Sequence, residues 1–414
     1  MTIPKVIIAS QQRSGCIMCG RCCRRFHVRI EPRERDRIAS LDWKGKPFAR
    51  DFSTTINGYE YFRRKPDGGC VFLDDKGVCT IHAQFGYDVK ALTCRGYPMN
   101  IVSTFPGEVS VMARLDCPAV LSNEGTPLPD QRKDVESLVA EMTFGRHFTE
   151  SQLCGLTRQT LETIRDKVAN LVLSSQAPIP NLILAALKLL DALEKLGSAF
   201  LNDATTMKEV WPALLKRFKP EAEVKPRKAS LSAYSKLIFR TWLAAYCRRD
   251  EEILDRGMLS RLKLFKSNLA FISEHGSWKR LGDEHPDFPF KQARIFEAKP
   301  TTNPAEDTWI PFRRFLQPRF ETLQFFGAAF YDTDFFTGLK ALLKAYAHVL
   351  ASARYHARAN GRDEITQPDV FNAVLSVDHC HGRSPSLRTP LSRNNENFFD
   401  VQRFEKLLET LGWW

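Results

Sequence analysis

The sequence predicts an α-rich α+β protein, with a small, loop-rich cysteine module at residues 1–125 and a larger all-helical body at residues 126–414. Two observations lead to this fold class. Eight of the 11 cysteines lie within the first 117 positions, among glycine turns and short β-type runs. From about Pro129 onward, apolar residues recur at spacings of three and four, which is the period of an amphipathic helix.

The composition excludes several classes of protein. Hydrophobic residues make up 43% and charged residues 26% of the 414 residues, which are globular values rather than those of disordered or collagen-like chains. The net charge of +12 is spread along the chain, so nucleic acid is not indicated as a partner. The most apolar run, 181–200, carries four charged residues, and the first ten residues make a poor signal peptide. We therefore expect no membrane span and a cytoplasmic location.

The cysteine module is predicted to contain strands in the runs Thr54–Phe62 and Val109–Ala113. The apolar content between its turns looks too thin for a conventional core. Because ligation free energy can become folding free energy, we expect bound metal to substitute for that core.

The helical body is predicted from four amphipathic stretches and one capped helix. The four stretches are Leu153–Leu173, Leu182–Leu196, Leu231–Cys247 and Phe335–Tyr355. Thr366 is the expected N-cap of a further helix, with Pro368 in its first turn. Charged, proline-bearing stretches at 219–228 and 284–305 indicate a possible subdivision of the body.

The most specific motif is the C-x2-C-x2-C-C run from Cys16 to Cys23, in which two intervening residues let successive sulfurs turn around one ion or cluster face. Gly20 removes a β-carbon where this loop must curl. Because disulfide scaffolds are usually short and follow a signal peptide, we expect the clustered thiols of this long chain to form a metal site in a reducing compartment rather than disulfides. The candidate metal ligands are Cys16, Cys19, Cys22, Cys23, Cys70, Cys79, Cys94 and Cys117.

The number of thiols indicates which kind of metal site they form. Eight are too many for one tetrahedral zinc, and they suit one four-iron cluster with spare ligands, two clusters or a mixed arrangement. An iron–sulfur cluster is therefore preferred, with zinc as the alternative. Basic residues flank the motifs, and we expect them either to lower the thiol pKa values or to form a solvated basic face. These residues are Arg13, Arg21, Arg24, Arg25, Arg29 and Arg95.

Taken in order, CIMCGRCC, GGCVFLDDKGVCTIH, ALTCRGYP and LDCP resemble the zinc- or iron-chelating cysteine-cluster family of CxxCxxCC type. The overall plan, a cysteine cluster followed by a helical body, is similar to that of the flagellin lysine-N-methylases. This resemblance implies an iron–sulfur or related metal site and S-adenosylmethionine-dependent lysine methylation of a protein substrate such as flagellin. The alternative is a non-catalytic metal-binding protein whose helical body docks a partner. The sequence assigns no catalytic or cofactor-binding residue, because no glycine-rich nucleotide loop follows a strand.

Several histidines have both a structural and a functional interpretation. His27 and His82 lie within the cysteine module and could replace a thiolate, although a hydrogen-bonded structural role is favoured for each. The triplet from His379 to His381, with His356 upstream, cannot easily point at one ion, so we expect a structural role there too.

The stretch from Trp309 to Phe336 holds ten aromatic residues, which are expected to be mostly core. The alternative interpretation is an apolar groove for a partner helix. If the chain is a methylase, the candidate residues for a desolvated lysine pocket are Trp309, Phe325, Phe326 and Tyr331.

Overall fold

The computed structural model describes residues 4–43, 51–173, 177–222, 230–247, 258–280, 285–297 and 306–412. Within these residues the cysteine module contains short strands and short helices in alternation. They are β1 (Lys5–Ile8), β2 (Arg13–Ser14), α1 (Arg21–Arg25), α2 (Pro32–Ala39), β3 (Ser53–Ile56), β4 (Tyr59–Phe62), α3 (Thr80–Phe85), α4 (Leu92–Gly96), β5 (Met99–Ser103), β6 (Glu108–Ala113), α5 (Pro118–Ser122) and β7 (Thr126–Pro127).

The rest of the described chain is helical, as predicted, and the α-rich α+β fold class is confirmed. The helices are α6 (Arg132–Glu141), α7 (Glu150–Leu153), α8 (Arg158–Leu173), α9 (Ile179–Leu196), α10 (Ser198–Leu201), α11 (Ala204–Arg217), α12 (Ala233–Cys247), α13 (Met258–Ile272), α14 (Phe290–Ala293), α15 (Ile310–Thr322), α16 (Phe335–Ala359), α17 (Gln367–Cys380), α18 (Pro390–Phe398) and α19 (Val401–Leu411).

The longest strands form a three-stranded sheet in the order β1-β6-β5. Strand β1 runs parallel to β6, with Val6 opposite Val109, and β5 runs antiparallel to β6, with Ile101 opposite Val111. A separate hairpin pairs β3 with β4 through Asn57 and Gly58, which both have positive φ, as a two-residue hairpin turn of type I′ requires. Both predicted strand runs are confirmed.

Helix α16 is the centre of the helical body. Nearly every residue from Phe335 to Ala357 is buried, because α9, α15, α17 and α19 surround the helix. A helix that is apolar around most of its circumference is buried on all sides, as here. No helix among the described residues is long and apolar enough to cross a membrane.

The predicted helices are found with small changes at their ends. The stretch Leu153–Leu173 is interrupted, because Cys154 and Gly155 adopt left-handed φ values of 55° and 70°, which end α7 before α8 begins. Thr366 caps α17 as expected, in a capping box with Asp369.

The expectation of a thin core in the cysteine module is wrong. The side chains of Phe52, Phe62, Phe72 and Trp43 form an apolar cluster with seven smaller neighbours. Their rings are in contact, and Phe62 and Phe72 meet edge to face at 5.1 Å between centroids. We call these eleven residues, which lie between Val28 and Ala91, the module cluster. Packing as well as ligation can therefore stabilise residues 28–91.

The last part of the module packs with the helical body instead. Met112, Leu115, Leu121 and Leu128 belong to the same apolar core as α8, α9, α15 and α16. The boundary near residue 125 stays a prediction. The subdivisions at 219–228 and 284–305 also stay predictions, because residues 223–229 and 298–305 lie outside the described residues.

Candidate metal centre

The CxxCxxCC motif forms an exposed loop that leads into helix α1. Cys16 and Cys19 are exposed in the loop, whereas Cys22 and Cys23 are half-buried on α1. Gly20 precedes α1 with φ of +65°, and a β-carbon there would lie 3.3 Å from Leu73 Cδ1. The predicted need for glycine at this turn is confirmed, because both the backbone conformation and the close approach favour it.

Five of the eight candidate cysteines lie near one another around the module cluster. Cys70 belongs to the cluster, and Cys23, Cys79 and Cys94 pack against it. The Cys70 amide donates a hydrogen bond to the Cys23 carbonyl at 2.8 Å, which ties α1 to the loop before α3. Cys22 Sγ lies 3.9 Å from Cys23 Sγ. We call Cys22, Cys23, Cys70, Cys79 and Cys94 the thiol group.

The other three candidates lie apart from the thiol group or at its edge. Cys117 precedes α5 and packs against the core of the helical body. Its pKa is raised by burial, with smaller increases from the charges of Asp116 and Cys19, so Cys19 and Cys117 are electrostatic neighbours. Cys16 is exposed.

The thiol group is not arranged as a finished coordination shell. Among the described residues, no three Cys, His, Asp or Glu side chains converge in a way that could hold one ion. All eleven cysteines, each of which is described, carry free thiols. The donor set is sulfur-rich and suits iron or zinc.

The expected lowering of the thiol pKa values is wrong for the buried members of the group. Burial raises the pKa of Cys70 to about 11, and it also raises that of Cys94, with further increases from Cys70, Cys79 and Cys22. The pKa of Cys22 is raised first by its hydrogen bond with Cys23 and then by burial. Desolvation therefore outweighs the nearby cations and keeps these thiols neutral in the absence of metal.

The arginines near the motifs have other partners. Arg95 forms a bidentate ion pair with Glu141 at 2.8 and 2.6 Å, which fixes α4 against α6. Arg24 pairs with Asp67 at 3.1 Å. Arg29 pairs with Glu31 at 3.3 Å. The cations that lower thiol pKa values are Lys90, for Cys22 and Cys94, and Arg64, for Cys70.

The two module histidines differ in their surroundings. His27 is half-buried, and burial followed by the charge of Arg64 lowers its pKa to about 4, so its imidazole is neutral at pH 7. His82 is exposed on α3, with its ring centroid 6.2 Å from that of Tyr87. Neither belongs to a converging ligand set among the described residues.

A buried charge network joins the cysteine module to the helical body, and sequence reasoning missed it. Asp116, which precedes Cys117, accepts a hydrogen bond from His379 at 3.0 Å, while its amide donates to Asp378 at 2.9 Å. Asp378 is also paired with Arg319 and with Arg383. Burial raises the pKa of Asp116, but Arg114 and His379 outweigh burial and hold this pKa well below its usual range. The partners lie more than 260 positions apart in sequence, so no local pattern could reveal them.

The histidine triplet has the structural role that the sequence favoured. His379 bonds to Asp116, whereas His381 Nδ1 lies 3.0 Å from the Tyr246 hydroxyl on α12. Upstream, His356 Nε2 lies 3.0 Å from His285 Nδ1. The side chains face different partners and do not converge on one ion.

The aromatic stretch from Trp309 to Phe336 is core, as expected, since all ten of its aromatic side chains are buried. Of the four candidate pocket residues, Tyr331 lines a cavity of ≈ 390 Å³, whereas Phe325 and Phe326 are fully buried in packing. Trp309 packs against Tyr346 at 5.1 Å between ring centroids. We call this space the aromatic cavity; its lining includes Trp242, Tyr246, Phe330, Tyr331, Asp332, Asp334, Arg393 and Glu396.

In the comparison with known proteins, a family model matches only the cysteine region of the chain. Residues 15–117 match the CxxCxxCC family, described as a proposed zinc- or iron-chelating domain. This match covers about a quarter of the chain and every candidate ligand. No curated protein and no solved structure matches the chain, so the similarity to flagellin lysine-N-methylases gains no support from these comparisons.

Proposed function

We propose that the chain is a metal-binding protein whose thiol group holds an iron–sulfur cluster, with zinc as the alternative metal. The observation that carries the proposal is that Cys23, Cys70, Cys79 and Cys94, from four separate segments of the matched domain, lie around one apolar cluster. Cys22 lies beside them, with its Sγ 3.9 Å from that of Cys23. Four thiolates hold one iron–sulfur cluster, and the eight thiols of the matched domain are too many for one tetrahedral zinc, so iron–sulfur chemistry is preferred.

The residues fit such a group by their chemistry, although their side chains must reorient to bind it. Thiols with raised pKa values are neutral, and a bound metal stabilises the thiolate form, so binding releases protons. Because the module cluster already orders Cys70 and packs against Cys79 and Cys94, the half-buried helix α1 and its exposed loop are the parts most able to adjust.

Single cysteine replacements test which thiols bind metal. In protein prepared without oxygen, Cys70→Ser and Cys94→Ser should lose most of the bound iron or zinc. Cys154→Ser is the matched control, since Cys154 is half-buried but lies on the helical body, and it should keep a full complement. Equal metal contents in all three variants would refute ligation by the thiol group.

We also infer a second function, the transfer of a methyl group from S-adenosylmethionine to protein lysine, because the aromatic cavity favours it. Of the aromatic side chains in its lining, Tyr331 is the most exposed, and its ring could contact a cation through a cation–π interaction. Glu396 lines the same cavity, and burial raises its pKa, which makes its carboxylate a stronger base than an exposed one. S-adenosylmethionine would supply the electrophilic methyl group, and the deprotonated amine would attack it as the carbon–sulfur bond breaks.

The methylation proposal has its own test. With flagellin as the trial substrate, Glu396→Gln should slow methyl transfer by roughly 100-fold or more, as expected for loss of a general base, and should leave the unfolding midpoint unchanged. Glu162→Gln on α8 is the control, because Glu162 lies outside the lining of the cavity. If metal-loaded protein binds no S-adenosylmethionine at millimolar concentration, this function is wrong and the non-catalytic metal-binding alternative stands.

A further inference from the structure

Helix α13 leaves a stripe of large apolar side chains in solvent. The exposed fractions are 80% for Met258, 50% for Leu262, 63% for Phe265 and 55% for Leu269. Their spacings of four, three and four place them on one face of the helix, opposite the buried Phe271. We call these four residues the α13 stripe. A contiguous exposed apolar surface of this kind is typical of an interaction site.

Two residues of the α13 stripe, Phe265 and Leu269, lie in one wall of a groove. The groove has a volume of ≈ 650 Å³ and is bounded by Phe265, Leu269 and Ile272 on α13. Its floor is Ala244 and Ala245 of α12, and Pro385 and Leu391 form the other wall. Leu391 is itself 62% exposed. Small residues on the floor and large ones on both walls leave a concave, apolar channel.

The charge beside this groove has one sign. Helix α13 carries Arg261, Lys263 and Lys266 and no acidic residue. With 100° per residue, Arg261 and Lys266 project on opposite sides of the α13 stripe. Among the described residues that line the groove, Arg261 alone is charged. An apolar seam flanked by cations is complementary to an apolar seam flanked by carboxylates.

We propose that this groove docks an acidic amphipathic helix of a partner protein. The helix would place leucine-type residues at i, i+3 or i+4, and i+7 between the two walls, with carboxylates beside Arg261, the charged residue in the lining. A second copy of the chain fits less well, because a two-fold pairing would bring Arg261 toward an α13 helix that carries only cations. A flat bilayer would contact the α13 stripe but leave the space between Ile272 and Leu391 unfilled.

The groove lies beside the aromatic cavity. Ser392 lines both of them, at only 4% exposure. If the proposed methyl transfer is correct, a substrate held in the groove would present a neighbouring lysine to the cavity. This last step rests on the proposed function, whereas docking in the groove does not.

The test uses a synthetic helical peptide with leucines on one face and glutamates on both flanks, measured by fluorescence anisotropy against the full chain. Phe265→Glu and Leu391→Glu should each weaken binding by about tenfold or more, because each places a charge in an apolar wall. The matched control is Phe200→Glu on α10, which is 36% exposed and lies outside the groove, and it should leave binding unchanged. Equal affinity in all three variants would overturn the proposal.

A second experiment, based on charge, distinguishes the proposed acidic helix from a second copy of the chain and from a lipid bilayer. Reversing the charge in the lining, with Arg261→Glu, should weaken binding of the glutamate peptide and strengthen binding of the same peptide carrying lysines. The proposal is also overturned if the peptide does not bind while anionic phosphatidylglycerol vesicles do, or if the chain dimerises and Phe265→Glu restores the monomer. Because every substituted side chain is exposed, loss of fold is checked simply by an unchanged unfolding midpoint.

Discussion

His348 lies on α16 at 0% exposure, with its ring stacked on Tyr246 at 4.1 Å between centroids. Both of its ring nitrogens are buried without a hydrogen-bond partner among the described residues. Burial lowers the pKa of His348 well below 6.5, and burial likewise lowers the pKa values of His379, to about 3, and His381. These imidazoles stay neutral in the folded protein at moderately acidic pH.

The protein should therefore lose stability as the pH falls below about 6.5, where the unfolded chain takes up protons that the folded chain excludes. Each excluded proton lowers the free energy of unfolding by about 1.4 kcal/mol per pH unit. His348→Phe should remove the contribution of one proton from the slope of the free energy of unfolding against pH. Urea unfolding between pH 7.5 and 5.5 measures this slope. His275→Gln, at an exposed position, is the control. An unchanged slope in His348→Phe would contradict the assignment of a neutral buried imidazole.

The charge network around Asp378 should dominate the stability of the contact between the module and the helical body. Asp378 and its partner Arg319 are almost fully buried, so Asp378→Ala would leave the guanidinium unpaired and cost about 3–5 kcal/mol. The exposed pair of Arg132 and Glu136 gives the comparison, since Glu136→Ala should cost at most about 0.5 kcal/mol. Similar losses in the two variants, measured by denaturant unfolding, would show that the network contributes little.

At the scale of single elements, glycine controls how the CxxCxxCC loop enters α1. Gly20 has positive φ, and its missing side chain lets Leu73 and the Gly77 carbonyl approach closely. Gly20→Ala should cost about 1–2 kcal/mol for the left-handed backbone and should also weaken metal binding, since it displaces Cys22 and Cys23. Gly96→Ala is the control, because open space surrounds that position. Full stability and metal content in Gly20→Ala would contradict this role.

The elements that could be predicted from sequence are those with a local physical signal. Long helices such as α9 and α16 have apolar periodicity, and α17 has a capping threonine and a proline in its first turn. Helix α1 could not be predicted, because its five residues are too short for periodicity to register. The candidate ligands could be predicted from the spacing of the cysteines. The contacts of Cys70 with Cys23, and of Asp116 with His379, could not be predicted, because they depend on tertiary packing.

For the whole molecule, the distribution of apolar clusters predicts two regions of different stability. The module cluster, formed by described residues between 28 and 91, is small and lies beside the thiol group. The end of strand β6 and helix α5 instead share the large core of the helical body. Small clusters are marginal without added cross-links, so loss of metal should open residues 28–91 first.

Hydrogen exchange of metal-loaded and chelator-treated protein should detect this difference. Protection in α3 and α4 should fall on chelation, while protection in β6, α9 and α16 should stay within about threefold. The Cys154→Ser variant, treated in the same way, should behave like the unmodified chain. Loss of protection across all elements together would show a single cooperative unit and contradict the division.

The central claim, that the N-terminal thiols bind metal, is tested most directly by iron, zinc and acid-labile sulfide analysis of the chain purified without oxygen. The account predicts a brown protein with broad visible absorbance, containing iron and sulfide in similar amounts. Colourless protein with zinc and no iron would retain metal binding but contradict the iron–sulfur assignment. Protein that holds neither metal, and gains none on reconstitution with iron, sulfide or zinc, would contradict the claim itself.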